Sequence, residues 1–433
     1  MPHVALREGG PREWGTNLAR VKDYNEVVVL DLVRSSGPIG RPAIAAATGL
    51  TLQTVSNIAR RLLAAETVVE DAVNGNGRLK RALRINPEAG YAIGIQLVRS
   101  SLAVGVVDLA GDIRGRAETA IEHDEPPEHV LSRLPGLVDD ALTEAGVPPE
   151  RVLGAGIGGP GPLDLREGRL LNVLHPRSWT HFPLAGRVAD ALGLRVIMDN
   201  DATAAALGER WRGIGGGAES FLYLYLGDGI GGGLVLDGQA YRGLRGNTGE
   251  ISHIQVDPDG PSCDCGSNGC LALYTNAHGL LREAARVALE APPSRPVENL
   301  PATVEALVAH PDPRIAAVLA RAGAHLAHVV VECCRILDPE LIVLGGPLVP
   351  LLGGPFGAAI TDELQRIDEP GAPPPRVELS SSGSDAGVIG AATLVLHDVF
   401  APTARKLSLV SLPHSPVRVT RGVTEPPEEE RVT

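Results

Sequence analysis

The stretch Gly246–Cys270 reads GNTGEISHIQVDPDGPSCDCGSNGC and concentrates side chains that bind metals. It holds three of the five cysteines of the chain, Cys263, Cys265 and Cys270, within eight positions, and one histidine, His253. Thiolate and imidazole are the usual ligands of a closed tetrahedral zinc site, and glycines allow the turns that bring neighbouring cysteines onto one ion. The stretch therefore predicts a zinc site with three cysteine ligands and one histidine ligand.

Two alternatives to a metal site remain open at this point. The cysteines could be reduced structural thiols, or two of them could form a disulfide and leave the third over. Because no signal peptide precedes the chain, we expect a reducing, cytoplasmic compartment, in which disulfides are rare. With all four ligands supplied by the protein, no coordination position is left for a substrate. We therefore expect a structural zinc ion rather than a catalytic one.

The composition of the 433 residues is that of a soluble globular protein with two or three domains. Hydrophobic residues make up 44% and charged residues 21% of the chain. No uninterrupted apolar run approaches the roughly 20 residues of a membrane span. Aromatic residues make up only 3%, which disfavours stacking on single-stranded nucleic acid.

The charge of the chain is unevenly distributed. The formal net charge is -13, which argues against a surface that is basic throughout. Residues 1–90 nevertheless contain 12 Lys/Arg against 9 Asp/Glu, a balance of +3, so the remainder carries -16. A slightly basic first part on an acidic body is typical of a nucleic-acid-binding module attached to a domain with another task.

The first part of the chain has helical periodicity. Apolar spacing predicts a helix over 17–35, which the sequence Ser35-Ser36-Gly37 ends. A second helix is predicted over 41–48, and a third begins at its cap Thr51 and extends to about Ala65. Two helices joined by a short turn with a glycine, the second of them with a polar face, predict a helix-turn-helix.

The polar face of the third helix carries donors and acceptors that suit base edges and phosphates: Gln53, Thr54, Ser56, Asn57 and Arg60. Beyond it, strands over 68–73 and 83–85 are predicted to pair around the turn-rich sequence Asn74–Gly77. Basic residues follow the tip of this hairpin: Arg78, Lys80, Arg81 and Arg84. We interpret the hairpin as a wing that contacts DNA phosphates. The alternative is an ordinary helical hairpin with a solvated basic face.

From Tyr91 onward strands alternate with helices, a pattern that predicts an α/β body. Predicted strands lie on either side of Val98–Ser101 and at 152–164, 194–198, 221–226, 232–236 and 341–344. Predicted helices lie at 129–145, 201–212, 280–290, 304–309, 315–336 and 386–399. Residues from about 401 are rich in proline and charge without any period, so we expect a disordered tail.

Several segments together resemble the signature segments of the ROK family, which groups repressors, uncharacterised open reading frames and sugar kinases. They are GIGGPGPLD (156–164), DNDATAAALGE (199–209), LGDGIGGGLVLDGQAYRG (226–243), GEISHIQVDPDGPSCDCGSNGC (249–270), LDPELIVLGG (337–346) and AGVIGAA (386–392). The resemblance runs from about residue 17 to 396. It implies a two-lobed actin-like, ribonuclease H-like ATPase fold around a sugar cleft. The preceding winged helix-turn-helix is the arrangement of the repressor branch, similar to xylose and N-acetylglucosamine repressors.

On this basis four segments are expected. They are an N-terminal extension (1–16), a winged helix-turn-helix DNA-binding domain (17–87), a sugar-kinase-like domain in two lobes (88–399) and a disordered tail (400–433).

The resemblance also implies which residues contact a sugar. Asn200 and Asp201 match the Asn-Asp pair of the family, whose aspartate takes the proton from the sugar hydroxyl in the kinases. Glu250 and His253 match the next two contacts, and His253 would bind zinc through one nitrogen and face the sugar with the other. The last contact of the family is a glutamate, which is replaced here by Ala272. The alternative is that these residues only cap helices and strands, as an Asn-Asp pair before a helix often does.

Both phosphate-binding loops of the family kinases are altered in this chain. The Asp-x-Gly-Gly-Thr turn corresponds to Gln96–Ser100, where side chains replace the glycines that let the backbone approach phosphates. The Gly-Thr-Gly loop reads Gly227-Asp228-Gly229, which puts a carboxylate where a triphosphate would lie. We therefore expect no ATP binding and no enzyme activity. Asp201 would be a catalytic base only if the protein were a kinase.

Together these features predict a DNA-binding transcriptional regulator, a repressor, that responds to a sugar or sugar derivative. Its expected partners are double-stranded operator DNA, a sugar effector and further copies of itself in a homodimer or homotetramer, with no membrane. Two alternatives are an active ATP-dependent sugar kinase and a ligand-independent regulator whose body is a scaffold. The altered phosphate loops argue against the kinase, and the residues that match the sugar contacts of the family favour a sensor over a scaffold.

Overall fold

The computed structural model describes residues 18–75, 78–122, 124–171, 177–288, 300–366 and 373–400. The predicted N-terminal extension and the predicted tail beyond Phe400 lie outside the described residues. Helices and strands are numbered below in chain order.

Three helices and one hairpin form the part of the chain that we call the head: α1 (Leu18–Ser36), α2 (Arg41–Thr48), α3 (Leu52–Ala64), β1 (Val68–Gly75) and β2 (Arg78–Ile85). Helix α3 begins as predicted because the Thr51 hydroxyl accepts a hydrogen bond from the Thr54 N–H at 3.2 Å. The strands pair from Val68 and Ile85 to Gly75 and Arg78, so the hairpin is longer than predicted. The basic residues of the predicted wing therefore lie within β2 rather than beyond a short tip.

The first lobe contains a five-stranded sheet in the order β5-β4-β3-β6-β9. Its strands are β3 (Tyr91–Val98), β4 (Ser101–Asp108), β5 (Ile113–Ala120), β6 (Val152–Gly159) and β9 (Val196–Asn200), beside a small hairpin of β7 (Leu163–Asp164) and β8 (Arg169–Leu170). Its helices are α4 (Pro127–Ser132), α5 (Leu134–Ala145) and α6 (Leu184–Leu192). The single helix predicted over 129–145 is wrong: Pro135 has no N–H to donate to the Leu131 carbonyl, and the helix breaks there.

The second lobe contains a five-stranded sheet in the order β12-β11-β10-β13-β14. Its strands are β10 (Phe221–Leu226), β11 (Ile230–Leu236), β12 (Gln239–Ala240), β13 (Leu341–Gly345) and β14 (Arg376–Leu379). Its helices are α8 (Ala272–Thr275), α9 (Ala277–Ala288), α10 (Leu300–Val308), α11 (Pro313–Leu337) and α12 (Gly354–Arg366). The sequence analysis missed α12, although Phe356, Ile360 and Leu364 are buried and stand at helical spacing.

Among the described residues, α11 is long and apolar enough by length and composition to cross a membrane. Half of its most apolar window is buried inside the protein, and Val318, Leu326 and Val330 belong to the core of the second lobe. We therefore interpret α11 as a core helix, with its polar side chains on the outer face.

Two further helices, α7 (Asp201–Trp211) and α13 (Ala386–Phe400), pack against each other between the two sheets. Helix α13 lies on β3 and β6 of the first lobe, and α7 lies on β10 and β11 of the second. The contact between the helices is so close that a Cβ atom at Gly390 would lie 2.5 Å from the carbonyl of Ala204. Side chains at Gly156 of β6 and Gly233 of β11 would likewise overlap the backbones of α13 and α7. Glycine at these positions lets both helices lie flush on the sheets.

Replacing Gly390 with valine should lower the free energy of unfolding by about 2 kcal/mol, because the new side chain overpacks the contact with Ala204. The measurement is urea unfolding of the full chain. The matched control is Gly136→Ala in α5, where an added Cβ atom would meet open space. That variant should be unchanged or up to about 1 kcal/mol more stable, since alanine favours a helix over glycine. Unchanged stability of the valine variant would contradict the close contact.

Candidate functional site

A cavity of about 890 Å³ lies between the two lobes. The four residues for which a sugar contact was predicted, which we call the predicted sugar contacts, all line it: Asn200, Asp201, Glu250 and His253. The two altered phosphate loops line it as well, through Gln96–Ser100 of the first lobe and Asp228 and Gly229 of the second. Ala272, at the position of the missing glutamate, is also part of the wall.

Asn200 and Asp201 occupy the N-terminus of α7. The side-chain oxygen of Asn200 accepts hydrogen bonds from the N–H groups of Ala202 (3.0 Å) and Thr203 (3.3 Å). One carboxylate oxygen of Asp201 accepts from the Ala202 N–H at 2.7 Å. Asn200 therefore caps α7 through its side-chain oxygen. Neither the amide nitrogen of Asn200 nor the second oxygen of Asp201 is used in these bonds.

The side chains of Glu250 and Asn200 lie close to Gly161 of the first lobe. A Cβ atom at Gly161 would lie 2.5 Å from a carboxylate oxygen of Glu250 and 3.2 Å from the amide nitrogen of Asn200. Glu250 and Asn200 therefore approach the same short segment of backbone from two sides. This arrangement brings polar groups from distant parts of the chain to one wall of the cavity.

Three carboxyl groups at the cavity are poorly solvated. Burial, together with the nearby carboxylates of Glu250 and Asp228, raises the pKa of Asp201 from 3.8 to about 7, although the hydrogen bond from the Ala202 N–H lowers it. Burial also raises the pKa of Glu250, against the opposing effect of His253. The pKa of Asp228 is raised by burial and lowered by His278 and Arg99. Such groups suit hydrogen bonds with neutral hydroxyls better than contact with a polyphosphate.

A hydrogen bond between two residues of the cavity wall connects the two lobes. The side-chain N–H of Gln96, on β3, donates to the hydroxyl of Tyr225, on β10, at 2.7 Å, and both side chains are buried. Gln96 also lies so close to the start of α13 that a side chain at Gly387 would overlap it. The sequence analysis treated Gln96 only as part of an altered phosphate loop and missed Tyr225, since no local pattern joins the two.

Two further polar residues of the second lobe line the cavity and were missed: Asn276 and His278. The Asn276 side chain accepts a hydrogen bond from the Gly279 N–H at 2.7 Å and so caps α9. Burial and the positive charge of Arg99 lower the pKa of His278, which Asp228 opposes. Both residues follow the cysteine-rich stretch directly, a position that is their only signal in the sequence.

The four predicted metal ligands converge on one point. The Nδ1 atom of His253 lies 3.6 Å from the Sγ atom of Cys263, and the Sγ atoms of Cys265 and Cys270 are also 3.6 Å apart. All four ligand atoms lie within 4.8 Å of one another. Thiolates around one tetrahedral zinc ion at its usual bond length would be about 3.7 Å apart. These four side chains, which we call the metal cluster, are therefore spaced to fit one zinc ion.

Turns and backbone contacts hold the metal cluster beside the cavity. Gly266 and Gly269 have φ angles of 93° and 56°, which a side chain would strain. The N–H of Leu271 donates to the Ile254 carbonyl at 2.8 Å and ties the end of the stretch to its beginning. His253 is consequently part of both the metal cluster and the cavity wall.

An ion pair fixes the end of the strand that leads into Asn200. Asp199, at the end of β9, is 2% exposed and accepts a hydrogen bond from Arg242 at 2.6 Å. Burial raises the pKa of Asp199, and Arg242 lowers it. The bond connects the strand that leads into Asn200 with the segment that leads into the cysteine-rich stretch.

The predicted DNA contacts of α3 share one face of the helix. Gln53 and Arg60 are exposed, and each donates a hydrogen bond to the side-chain oxygen of Asn57 at 3.2 Å. The hydroxyl of Thr54 bonds to that of Thr51 at 2.8 Å, and Ser56 is half-buried.

On the hairpin, the side chain of Arg81 is 83% exposed and pairs with Glu70 at 3.1 Å. Glu70 also pairs with Arg41 of α2 at 2.8 Å, so part of the positive charge of the hairpin is neutralised within the head. Arg78 and Lys80 belong to β2, but their side chains lie outside the described residues.

Comparison with known proteins gives consistent matches. The sequence pattern of the ROK family matches residues 92–398. An inferred xylose repressor from Caldicellulosiruptor sp. (strain Rt8B.4) is 30% identical over 403 residues, which cover 89% of this chain and 98% of that protein. A ROK family glucokinase from Streptomyces griseus, solved in complex with glucose and AMPPNP, is 28% identical with a TM-score of 0.60 and covers 70% of this chain and 99% of its own.

A solved ROK family transcriptional regulator, a homologue of the Escherichia coli Mlc protein, is 24% identical with a TM-score of 0.68. The match covers 90% of this chain and 99% of that chain, so it extends over the head as well as the two lobes. This likeness confirms the predicted fold: an N-terminal winged helix-turn-helix followed by a two-lobed actin-like body.

Replacing Asp201 with asparagine should stabilise the protein, and more strongly at pH 8 than at pH 5. The folded state holds the Asp201 proton up to about pH 7, whereas the unfolded chain releases it near pH 3.9. Wild-type stability that is fully present below about pH 3.9 is therefore lost progressively as the pH rises from 3.9 to about 7, and asparagine cannot ionise. Since one pKa unit corresponds to about 1.4 kcal/mol, the gain at pH 8 should be at least about 1 kcal/mol.

The measurement is urea unfolding of both proteins between pH 5 and 8. Asp140→Asn, at an exposed position of α5, controls for the loss of one negative charge. Parallel stability curves for wild type and Asp201→Asn would contradict the raised pKa.

Proposed function

The chain belongs to the ROK family, and we propose that it is a DNA-binding transcriptional repressor whose two-lobed body binds a sugar or sugar derivative. The observation that carries this proposal is the presence, in one chain, of a head with an exposed polar helix and a body with a polar cavity between its lobes. Similarity to a protein named as a xylose repressor, over 89% of this chain, supports it.

The predicted sugar contacts offer hydrogen bonds that suit adjacent hydroxyl groups. A carboxylate accepts from O–H groups, and the amide nitrogen of Asn200 donates to a hydroxyl oxygen. We propose that Asn200 and Asp201 bind one edge of the sugar and that Glu250 and His253 bind the next. Because Ala272 supplies no acceptor, one hydroxyl of the sugar would be bound differently from its counterpart in a protein with glutamate there.

We propose that the body does not transfer phosphate. Gln96 fills the space near the start of α13 and bonds across the cavity to Tyr225, at the place that the family resemblance gives to a phosphate loop. The carboxylate of Asp228 lies at the second loop. A negative charge about 4 Å from a phosphate costs about 4 kcal/mol at the effective dielectric constant of a protein surface.

The alternative function is that of a sugar kinase, which the similarity to the Streptomyces griseus glucokinase favours. Asp201 would then be the base that deprotonates the sugar hydroxyl. Sugar-dependent consumption of ATP that disappears in Asp201→Asn would support the kinase. A ligand-independent scaffold is disfavoured because it has no use for the polar cavity lining.

We propose that the metal cluster holds a structural zinc ion, with His253, Cys263, Cys265 and Cys270 as ligands. The ion would fix the ring of His253 through one nitrogen and leave the other for the sugar. Because Glu250 stands only three residues earlier, the ion would also order that part of the wall.

We further propose that two heads of a homodimer or homotetramer bind operator DNA. Recognition helices of a dimer contact half-sites about 34 Å apart, so the bodies must set the spacing of the heads. In α3, Gln53, Thr54, Ser56 and Asn57 are proposed to contact base edges, and Arg60 is proposed to contact a phosphate. The other proposed phosphate contacts are Arg78, Lys80 and Arg81 of β2.

The double variant Arg60→Ala/Arg81→Ala should bind duplex DNA more weakly, with a flatter dependence on salt. Each lost phosphate contact lowers the slope of log K against log salt by about 0.9, so the slope should fall by about 1.8. The measurement is fluorescence anisotropy with a random-sequence duplex over a range of salt concentrations.

The control for this variant is Arg335→Ala, which removes a half-exposed arginine from α11 of the body. It should leave affinity and slope unchanged. Unchanged binding by the double variant would place the DNA surface elsewhere.

Replacing Cys265 with serine should remove zinc and weaken sugar binding at least about tenfold, since residues that support a metal site alter its function on that scale. Binding to duplex DNA should stay within about twofold, because the head has its own core. The measurements are zinc content by mass spectrometry and calorimetric titration with D-xylose and D-glucose.

The matched control for the zinc prediction is Cys333→Ser, which changes a cysteine of α11 outside the metal cluster. It should keep both zinc and sugar binding. Undiminished sugar binding by a zinc-free Cys265→Ser protein would separate the metal from the sensor.

A further inference from the structure

The head holds the C-terminus of α7 through one arginine. The guanidinium group of Arg34, on α1, donates hydrogen bonds to the main-chain carbonyl of Trp211 and, at 3.4 Å, to that of Arg210. It also lies over the indole ring of Trp211, 4.4 Å from the ring centroid. The Arg34 side chain is only 5% exposed and pairs with Asp31 at 2.7 Å. This contact is buried between head and body rather than loosely placed on the surface.

The chemistry of this contact favours a cation. The last carbonyl groups of a helix have no partner within the helix and carry the negative end of its dipole. Burial lowers the pKa of Arg34 and the carboxylate of Asp31 raises it, and a guanidinium in a protein remains charged. Arg34 therefore both caps α7 and stacks on its last side chain, two interactions that fix the position of that helix end relative to α1.

The opposite end of the same helix lies in the cavity. Helix α7 has 11 residues and is therefore about 16 Å long, and its first residue is Asp201. Along the way it contacts both lobes. The buried carboxylate of Glu209 accepts hydrogen bonds from the hydroxyls of Ser380 and Ser382, and the indole N–H of Trp211 donates to the Leu109 carbonyl at 3.1 Å.

Helix α13 packs beside α7 and, like α7, extends from the cavity to the head. It starts next to Gln96 in the wall of the cavity, and its last residue, Phe400, packs against the core of the head. The close contact at Gly390 leaves no free volume between the two helices, so we expect them to move together. A change at the cavity end of either helix is therefore passed to both.

We propose that Arg34 is a positioning residue that couples sugar binding to the head through α7. The inference rests on the proposed function of the cavity as a sugar site. A sugar that binds Asn200 and Asp201 acts on the first turn of α7, and the packed helix carries the displacement to Trp211. Arg34 then moves with the carbonyl groups that it binds and shifts α1, and with it the orientation of α3. The sugar must bind one position of α7 more tightly than another for this shift to occur.

The test is hydrogen exchange by mass spectrometry on the full chain of wild type and Arg34→Met, which keeps an apolar stem of similar length but removes the donors. The control is Arg61→Met, because Arg61 pairs with Glu26 inside the head at 2.7 Å. Each protein is measured alone and with D-xylose or D-glucose.

In the wild type and in Arg61→Met, bound sugar should alter exchange at 200–205 and at 27–36. In Arg34→Met the sugar should bind within about twofold of wild-type affinity and still alter exchange at 200–205. Its effect on 27–36 should fall at least about fivefold, the lower end of typical coupling between sites. An undiminished response at 27–36 in Arg34→Met would overturn the proposal.

A second comparison needs no sugar and separates this inference from the proposed function. If neither sugar binds to the wild type, the sensor fails, but the connection through α7 is still tested by the proteins alone. Loss of Arg34 should speed exchange about tenfold at 207–212 and also at 200–205, since loosening one end of a packed helix loosens its other end. Exchange at 200–205 that matches Arg61→Met would overturn the coupling through α7 for any ligand.

Discussion

The close contact between α7 and α13 is the constraint on which the rest of the structure depends. No side chain fits at Gly390 against Ala204, and glycines of both sheets let the helices lie flat on their strands. The two lobes are consequently joined by a pair of helices with almost no free volume between them. Because the cavity opens between the same lobes, its walls are as well defined as this contact. The same contact fixes the positions of Asn200 and Asp201 at the start of α7.

The polar groups of the cavity are held by contacts outside it. Asn200 caps α7, Arg242 binds the buried Asp199, and His253 lies beside the three cysteines of the metal cluster. The amide nitrogen of Asn200 is not used in these contacts, and its side chain lines the cavity. The carboxyl groups of this cavity are weakly solvated, so neutral hydroxyls are better ligands there than anions.

Local signals in the sequence predicted local features well. The left-handed Gly49 and the cap at Thr51 set the ends of α2 and α3, and the predicted helix over 41–48 agrees with the structure. The metal cluster was predictable because its ligands lie within 18 residues, from His253 to Cys270. Features that depend on distant pairs were missed. Gln96 and Tyr225 are 129 positions apart, and Arg34 and Trp211 are 177 apart, so nothing in the neighbourhood of either residue indicates its partner.

The position of Phe400 has a consequence for the order in which the chain is made. Its ring contacts the core of the head, although more than three hundred residues separate it from α3 in the sequence. Domains fold from the N-terminus as they leave the ribosome, so the head appears first and α13 much later. The core of a nascent head therefore lacks its contact with Phe400 until both lobes have been synthesised. Its packing is completed only in a chain that already carries the cavity.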